Sequence, residues 1–396
     1  MNRPLTVMLV AAEASGDDRG AGLARALKRR LGDGVRFVGV GGARMAAEGV
    51  KSPFEISELS ILGLVEGLLA YPRVVGRVRE TVALALDERP DVAVLIDSWG
   101  FTLRVAQGLR RQARGVPLIK YVGPQVWATR PGRAATLAAT VDHLLSIHAF
   151  DAPWFEAQGL PVTFVGNSAL KVDFSDADPT RLRARIGARI GARAEDQILL
   201  VLPGSRPGEI VRVMPAFEDA VRLLKDRRPD LQVVIPAAPT VAETVKARVA
   251  GWTHRAYVIE GETGKRDAMK AATVALACSG TVTTELALAG APMVVGYRLG
   301  ALSHAILTRL LRTRYITLFN IAAQALVAPE LVQSQCNGPN LAREVAMRLD
   351  DPQLRARQVA AQYVALDKMG RGGPDPDEAA ADAVLKVLRD RATVPR

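Results

Sequence analysis

Residues 198–210, ILLVLPGSRPGEI, decide how the chain is read. Ile198 to Leu202 is a short apolar run of the length and composition of a buried strand. It meets the turn Pro203-Gly204-Ser205-Arg206 and then the start of a helix. An arginine on so tight a strand-to-helix turn needs a partner for its charge. Gly204 lets the backbone approach a ligand closely. N–H groups at the following helix start favour an anion. Arg206 can add a forked, charge-assisted hydrogen bond to phosphate. The alternative is a surface arginine after an ordinary Pro-Gly turn, and spacing alone leaves both open.

Outward from this unit the same alternation recurs. Downstream, apolar runs at 231–235, 256–259, 274–277 and 293–296 are separated by helical patterns. Upstream, runs at 5–10, 35–39, 91–96 and 118–122 stand out, with weaker ones at 142–147 and 162–165. Short apolar strands alternating with helices indicate parallel βαβ units. Two such arrays predict an α/β chain of two Rossmann-like, doubly wound domains facing a central cleft. The expected division is a first domain at 1–170, a linker at 171–196 and a second domain at 197–354. A C-terminal helix at about 355–394 is expected to complete the first. The charged stretch before the second array carries the tandem RIGARIGA (185–192), too short for an architectural repeat.

The bulk numbers fit this. A chain of 396 residues can bury a core in each of two domains, and 49% hydrophobic with 23% charged residues is ordinary for a globular protein. The 52 Lys and Arg exceed the 41 Asp and Glu, giving +11 and pointing to an anionic partner: nucleic acid, an anionic membrane face or a phosphorylated substrate. An arginine-favouring genome gives the same surplus. Cys278 and Cys336 offer no disulfide framework, which fits a reducing cytoplasm. No apolar run is long enough to span a bilayer, so membrane contact is expected to be peripheral. The four histidines lack metal-ligand spacing, and neither a Walker pattern nor a GxGxxG with its distal acid occurs, so no metal and no other cofactor is expected.

In parallel sheets ligands bind beyond the carboxyl ends of strands. After 274–277, Ser279-Gly280-Thr281 is a second small-residue turn opening a helix, able to hold phosphate oxygens. Glu285 follows, either as a ribose-binding acid or as a carboxylate favoured by the helix dipole. After 92–96 comes Asp97, either a general base or a helix N-cap. After the first strand, EASGD supplies Glu13, Ser15 and Asp17, as a site wall or as a turn and cap.

Two segments bear on partners. Residues 56–75 are rich in large aliphatics, and Ile61, Leu62, Val65, Leu68 and Leu69 approximate one helical stripe that Leu64 widens. Arg73, Arg77 and Arg79 follow. This is a buried helix or an apolar surface for lipid, with arginines on headgroups. Residues 299–318 form a basic amphipathic candidate for phosphate or anionic lipid. Aromatics are 5% and none interleave with these arginines, so no nucleic-acid partner is expected.

EASGD, LPGSRPGEI, SGTVTTE, PMVVGYR and FNIAAQALVAPELVQ occur in that order. The ordered set resembles the lipid-A-disaccharide synthases, glycosyltransferases of the GT-B type, over residues 5–370 or so. The resemblance implies a metal-free, inverting transfer of 2,3-diacylglucosamine from its UDP derivative to 2,3-diacylglucosamine 1-phosphate (lipid X). The products are a β-1,6 tetraacyl disaccharide 1-phosphate and UDP. It further implies a peripheral enzyme on the cytoplasmic face of the inner membrane, in contact with its anionic surface.

Matched by position, the resemblance makes Asp97 the base for the acceptor 6-hydroxyl and places Arg206 near the UDP diphosphate, with Gly204 and Ser205 in its turn. Ser279, Gly280 and Thr281 fall on the phosphate side, Glu285 on the ribose side and Asn320 in the UDP site. Gln333 closes the last motif, Glu13, Ser15 and Asp17 match the first-domain motif, and 61–69 matches a segment for membrane and acyl-chain contact. The chain departs from the family where Asp97-Ser98-Trp99-Gly100-Phe101 replaces Asp-Ala-Pro-Asp-Phe, losing the second acid. GPQVWAT replaces SPSVWAW, Asn167-Ser168 replaces His-Pro, and FN replaces PN. These changes concern the acceptor side more than UDP. The alternatives are another UDP-sugar enzyme on the same scaffold, such as an epimerase, or a non-catalytic basic module for anionic membrane or RNA.

Overall fold

The computed structural model describes residues 3–59, 64–190, 193, 195–300 and 313–393. The chain divides into two units, residues 1–167 with 372–396, and residues 168–371. The first holds a sheet of β1 (Leu5–Val10), β2 (Val35–Val40), β3 (Val92–Ile96), β4 (Leu118–Tyr121), β5 (His143–Ser146) and β6 (Val162–Phe164). Their spatial order is β2-β1-β3-β4-β5-β6, and every pairing is parallel.

Strand side chains alternate between faces, so a continuous apolar run serves two cores. Val7, Leu9, Val92, Val94 and Ile96 pack on one face with Leu23 and Leu27 of the helix Ala14–Leu31 and Val384 of the helix Pro376–Thr393. Met8, Val10, Ala93 and Leu95 pack on the other, with Val82 of the helix Leu64–Glu88 and Val105 and Leu109 of the helix Trp99–Gln112.

The second unit repeats the plan with β7 (Ile198–Leu202), β8 (Gln232–Pro236), β9 (Tyr257–Ile259), β10 (Val274–Cys278), β11 (Met293–Tyr297) and β12 (Glu330–Val332). Its order is β12-β11-β10-β7-β8-β9, again parallel. Counted within this unit, that is the 3-2-1-4-5-6 order of dinucleotide-binding folds. Leu199, Val201 and Leu276 meet Ile210, Val213 and Phe217 of the helix Pro207–Arg227 on one face. Leu200, Ala275 and Met293 meet Leu286 and Met269 on the other.

Three expectations change. Residues 171–196 are not a free-standing linker: the helix Pro179–Ile190 places Leu182 and Ile186 in the second unit's core. The C-terminal segment at 355–394, expected to complete the first domain, serves both units, its two helices packing on different cores. Pro352–Lys368 puts Ala365 and Leu366 in the second core, and Pro376–Thr393 puts Ala380 and Val384 in the first. The chain passes between them through Gly370 and Gly372, at φ +98° and +75°. Lastly, β12 is a strand inside the PELVQ motif, held by pairing with β11.

Candidate functional site

In each sheet the strand order reverses between two neighbours whose following loops define a ligand edge. In the first unit these are β1 and β3. The loop after β1 brings Glu13 to the start of the helix Ala14–Leu31, and the loop after β3 begins with Asp97. Ser15 Oγ donates to Asp97 Oδ2 at 3.2 Å, and Arg19 Nη1 lies 3.5 Å from the same oxygen.

Asp97 and Ser98 are both left-handed, with φ of +51° and +39°. Two successive non-glycine residues in that region are uncommon and are held by their surroundings. Asp97 N–H donates to Tyr121 O at 2.8 Å. The Asp97 carbonyl accepts from Thr102 Oγ1 at 2.7 Å and from Lys120 Nζ. The N-cap of the helix Trp99–Gln112 is Ser98, and the Asp97 carboxylate bonds only the adjacent Ser98 N–H of that segment. A capping role therefore does not account for Asp97, whose side chain keeps 33% exposure.

Asp17, expected in the wall, is buried. It accepts from the backbone N–H groups of Gly42, Arg44 and Met45 at 2.7, 3.0 and 3.0 Å. It fastens the loop after β2 rather than facing an open edge.

In the second unit the reversal lies between β7 and β10, and the two N–H-rich turns are their following loops. Gly204 sits at φ +117°, where a side chain would meet Glu209 Oε2 at 2.6 Å. Glu209 Oε2 accepts from Ser205 and Arg206 N–H at 3.0 and 3.2 Å, closing the turn onto the helix. Those two amides are thus engaged inside the turn and not open to a ligand. Arg206 is 81% exposed in its side chain and reaches Glu209 only at 3.8 Å.

Across the reversal, Ser279 and Gly280 precede the helix Thr281–Ala289. Glu285 on that helix pairs with Lys265 Nζ at 2.7 Å, and Lys265 also meets Glu262 at 3.1 Å. Burial alone would lower the lysine, but the two carboxylates outweigh it and hold its pKa above the usual value. Gln333, at φ +53°, accepts from Leu299 N–H at 2.7 Å and ties the ends of β11 and β12 together.

Asn320 is fully buried and its amide is saturated inside the protein. It donates to Ala328 O and Glu330 Oε1 at 2.9 Å each and accepts from Val327 and Ala328 N–H. It clasps the loop leading into β12, so its expected place as a UDP contact gives way to a scaffolding one.

The aliphatic stripe is only partly described: Ile61 and Leu62 lie outside the described residues, and Leu64, Val65, Leu68 and Leu69 begin the helix Leu64–Glu88. Further along it Tyr71 is 52% exposed, while Arg77 is held by Glu58 and Glu80 at 2.7 and 2.6 Å. Residues 301–312 of the basic segment also lie outside the described residues. Among the described residues no helix is long and apolar enough to cross a membrane, and no three His, Cys, Asp or Glu side chains form a metal site.

Comparison with known proteins adds the family. A family profile described as lipid-A-disaccharide synthetase matches residues 7–384. The chain belongs to the lipid-A-disaccharide synthetase family. It is 42% identical to the lipid-A-disaccharide synthase of Rhodospirillum centenum over 394 residues, covering 100% of this chain and 97% of that one. It is also 42% identical to the lipid-A-disaccharide synthase of Paramagnetospirillum magneticum, at 97% and 98% coverage.

Solved structures share the fold. The S. aureus MnaA–UDP co-structure matches with a TM-score of 0.62 at 16% identity, covering 98% of each chain. Acinetobacter baumannii MurG matches at 0.58 and 14%, covering 97% of this chain and all of that one. The UDP-GlcNAc 2-epimerase of Neisseria meningitidis bound to UDP-GlcNAc matches at 0.53 and 12%, with 98% and 100% coverage. The fold of this synthetase-family chain is GT-B, and it is a glycosyltransferase. Family membership favours neither the epimerase nor the non-catalytic reading.

Arg19, Lys120, Glu209 and Lys265 stand at these edges without having been singled out by a sequence pattern. Arg19 follows two residues after the EASGD motif, and Lys265 lies on a helix with no motif around it. Glu209 is visible in SRPGE as a residue able to close the turn.

Proposed function

We propose that the chain joins UDP-2,3-diacylglucosamine to 2,3-diacylglucosamine 1-phosphate, releasing UDP and a β-1,6 tetraacyl disaccharide 1-phosphate with inversion. The supporting observation is the chemistry of the two ligand edges. One carries Asp97, a part-exposed carboxylate on a strained turn, and the other carries Arg206 on a closed glycine turn.

The acceptor belongs to the first edge. Asp97 accepts the proton of the 6-hydroxyl as that oxygen attacks the donor anomeric carbon. The attack passes through an oxocarbenium-like state like that of glycosidases. The donor belongs to the second edge. Arg206 and the Ser279-Gly280-Thr281 helix start stabilise charge growing on the departing UDP, and Glu285 receives ribose hydroxyls through the oxygen that Lys265 does not hold. This scheme assigns no step to a metal ion. The helix Leu64–Glu88, through its first turns and Tyr71 and Arg73, is proposed to rest on an anionic membrane on the cytoplasmic side.

The test is mass analysis of the products from the two lipids. A tetraacyl disaccharide 1-phosphate with UDP is expected, and UDP release without a disaccharide would reject the reading. Asp97→Asn should lower turnover on the order of 100- to 10,000-fold while UDP-sugar binding persists. Near-normal turnover would remove Asp97 from the base role.

A further inference from the structure

Lys120 stands on β4, where its register neighbours are Leu95 of β3 and Leu144 of β5, both core residues. It is 2% exposed. An ammonium at such a position is costly unless strong partners compensate. Among the described residues no carboxylate bonds it. Its Nζ instead reaches the carboxyl edge of the sheet, donating to the Asp97 carbonyl and to Thr102 Oγ1 at 2.7 Å. Thr102 Oγ1 in turn lies 2.7 Å from the Asp97 carbonyl and 2.9 Å from that of Ser98. Lysine and threonine therefore grip the backbone of the two residues that are left-handed.

We infer that Lys120 is a positioning residue: through the Asp97 carbonyl it holds the Asp97–Ser98 turn in the form that presents the Asp97 carboxylate. The inference rests on the reading of Asp97 as the base. Apolar neighbours on both flanking strands give the lysine no packing advantage over methionine. Replacing a buried charge by an apolar side chain of similar volume is often neutral or stabilising. Burial lowers the ammonium to about 7, against the opposing pull of Asp97 and Glu13. Lysine thus occupies a site where it burdens the fold, and the contact it makes in exchange is with the turn.

The experiment compares Lys120→Met, Lys120→Arg and Asp97→Asn in the full chain, with the double variant. Misplacing a reacting group by about 1 Å can cost on the order of 100-fold. Lys120→Met should therefore lower kcat about 10- to 100-fold, leave KM for the UDP-sugar unchanged and not lower Tm. Lys120→Arg should restore part of kcat. On the Asp97→Asn background Lys120→Met should add no further loss. Wild-type kcat in Lys120→Met, a full additional loss on the Asp97→Asn background, or a kcat that falls only together with Tm would each overturn the inference.

Hydrogen exchange reads the turn without turnover. Exchange of the Asp97 and Ser98 amides should accelerate in Lys120→Met, and unchanged exchange rejects the clamp. A wild-type chain that makes no disaccharide would sink the functional reading alone, since exchange still decides the clamp.

Discussion

Among the described residues Arg206 has only the 3.8 Å approach to Glu209 as a carboxylate contact, while Glu209 itself is occupied with the turn's amides. Its charge is thus available to a ligand. A charge-assisted hydrogen bond contributes about 1.5–3 kcal/mol, so Arg206→Ala should weaken UDP binding roughly 10- to 100-fold in calorimetric titration. Unchanged affinity would reject the diphosphate assignment.

Lys120 makes a separate prediction. Its pKa falls from 10.5 to about 7 on folding because burial disfavours the ammonium. Between those values the unfolded chain holds a proton that the folded chain has released. Stability from this residue therefore rises with pH across that window, and below it the burial penalty is present in full. The Tm of wild type should gain on that of Lys120→Met between pH 7 and 10. A constant gap would show that the lysine does not titrate on folding.

At this scale the sequence was legible where a turn announces itself, as at Gly204 or Asp97. It was not legible where a side chain leaves its expected environment. Lysine in LIKY gives no sign that it lies between leucines, and nothing in FNIAAQALVAPE shows that Asn320 is consumed by its own loop.

Among the elements, the central strands were readable because burial on both faces writes an uninterrupted apolar run. β12 was not, since three half-buried residues carry no period. The helix Pro179–Ile190 passed for a linker because four arginines surround its apolar pair, Leu182 and Ile186, at the i, i+4 spacing of one face.

The helix Pro376–Thr393 has the largest consequence. Ala380, Ala381 and Val384 are fully buried against the first sheet's core. A chain ending at Arg371 should lose hydrogen-exchange protection in β1 to β3 while β7 to β11 keep theirs. Equal protection in both sheets would show that the helix is dispensable to its unit.

For the molecule as a whole, the alternation of strands and helices sufficed to give two doubly wound units. The crossing of the chain back to the first unit at Gly370 to Gly372 was harder to see, because GRGGPDPD reads as a break between helices without saying which core each one serves. The surplus of 11 positive charges was a weaker guide, since it names a sign of partner and no site.

That return of the chain also orders events during synthesis. The second unit, residues 168–371, is contiguous and interrupts the first. Domains emerging from a ribosome generally fold as units, in the order made. Here the unit that starts first must finish last. Until the closing helix emerges, the part of one sheet face beside the helix Ala14–Leu31 stands uncovered, while the second unit can already be complete. A pause in translation before residues 376–393 are made would prolong that exposure, leaving the nascent N-terminal unit the part most in need of a chaperone.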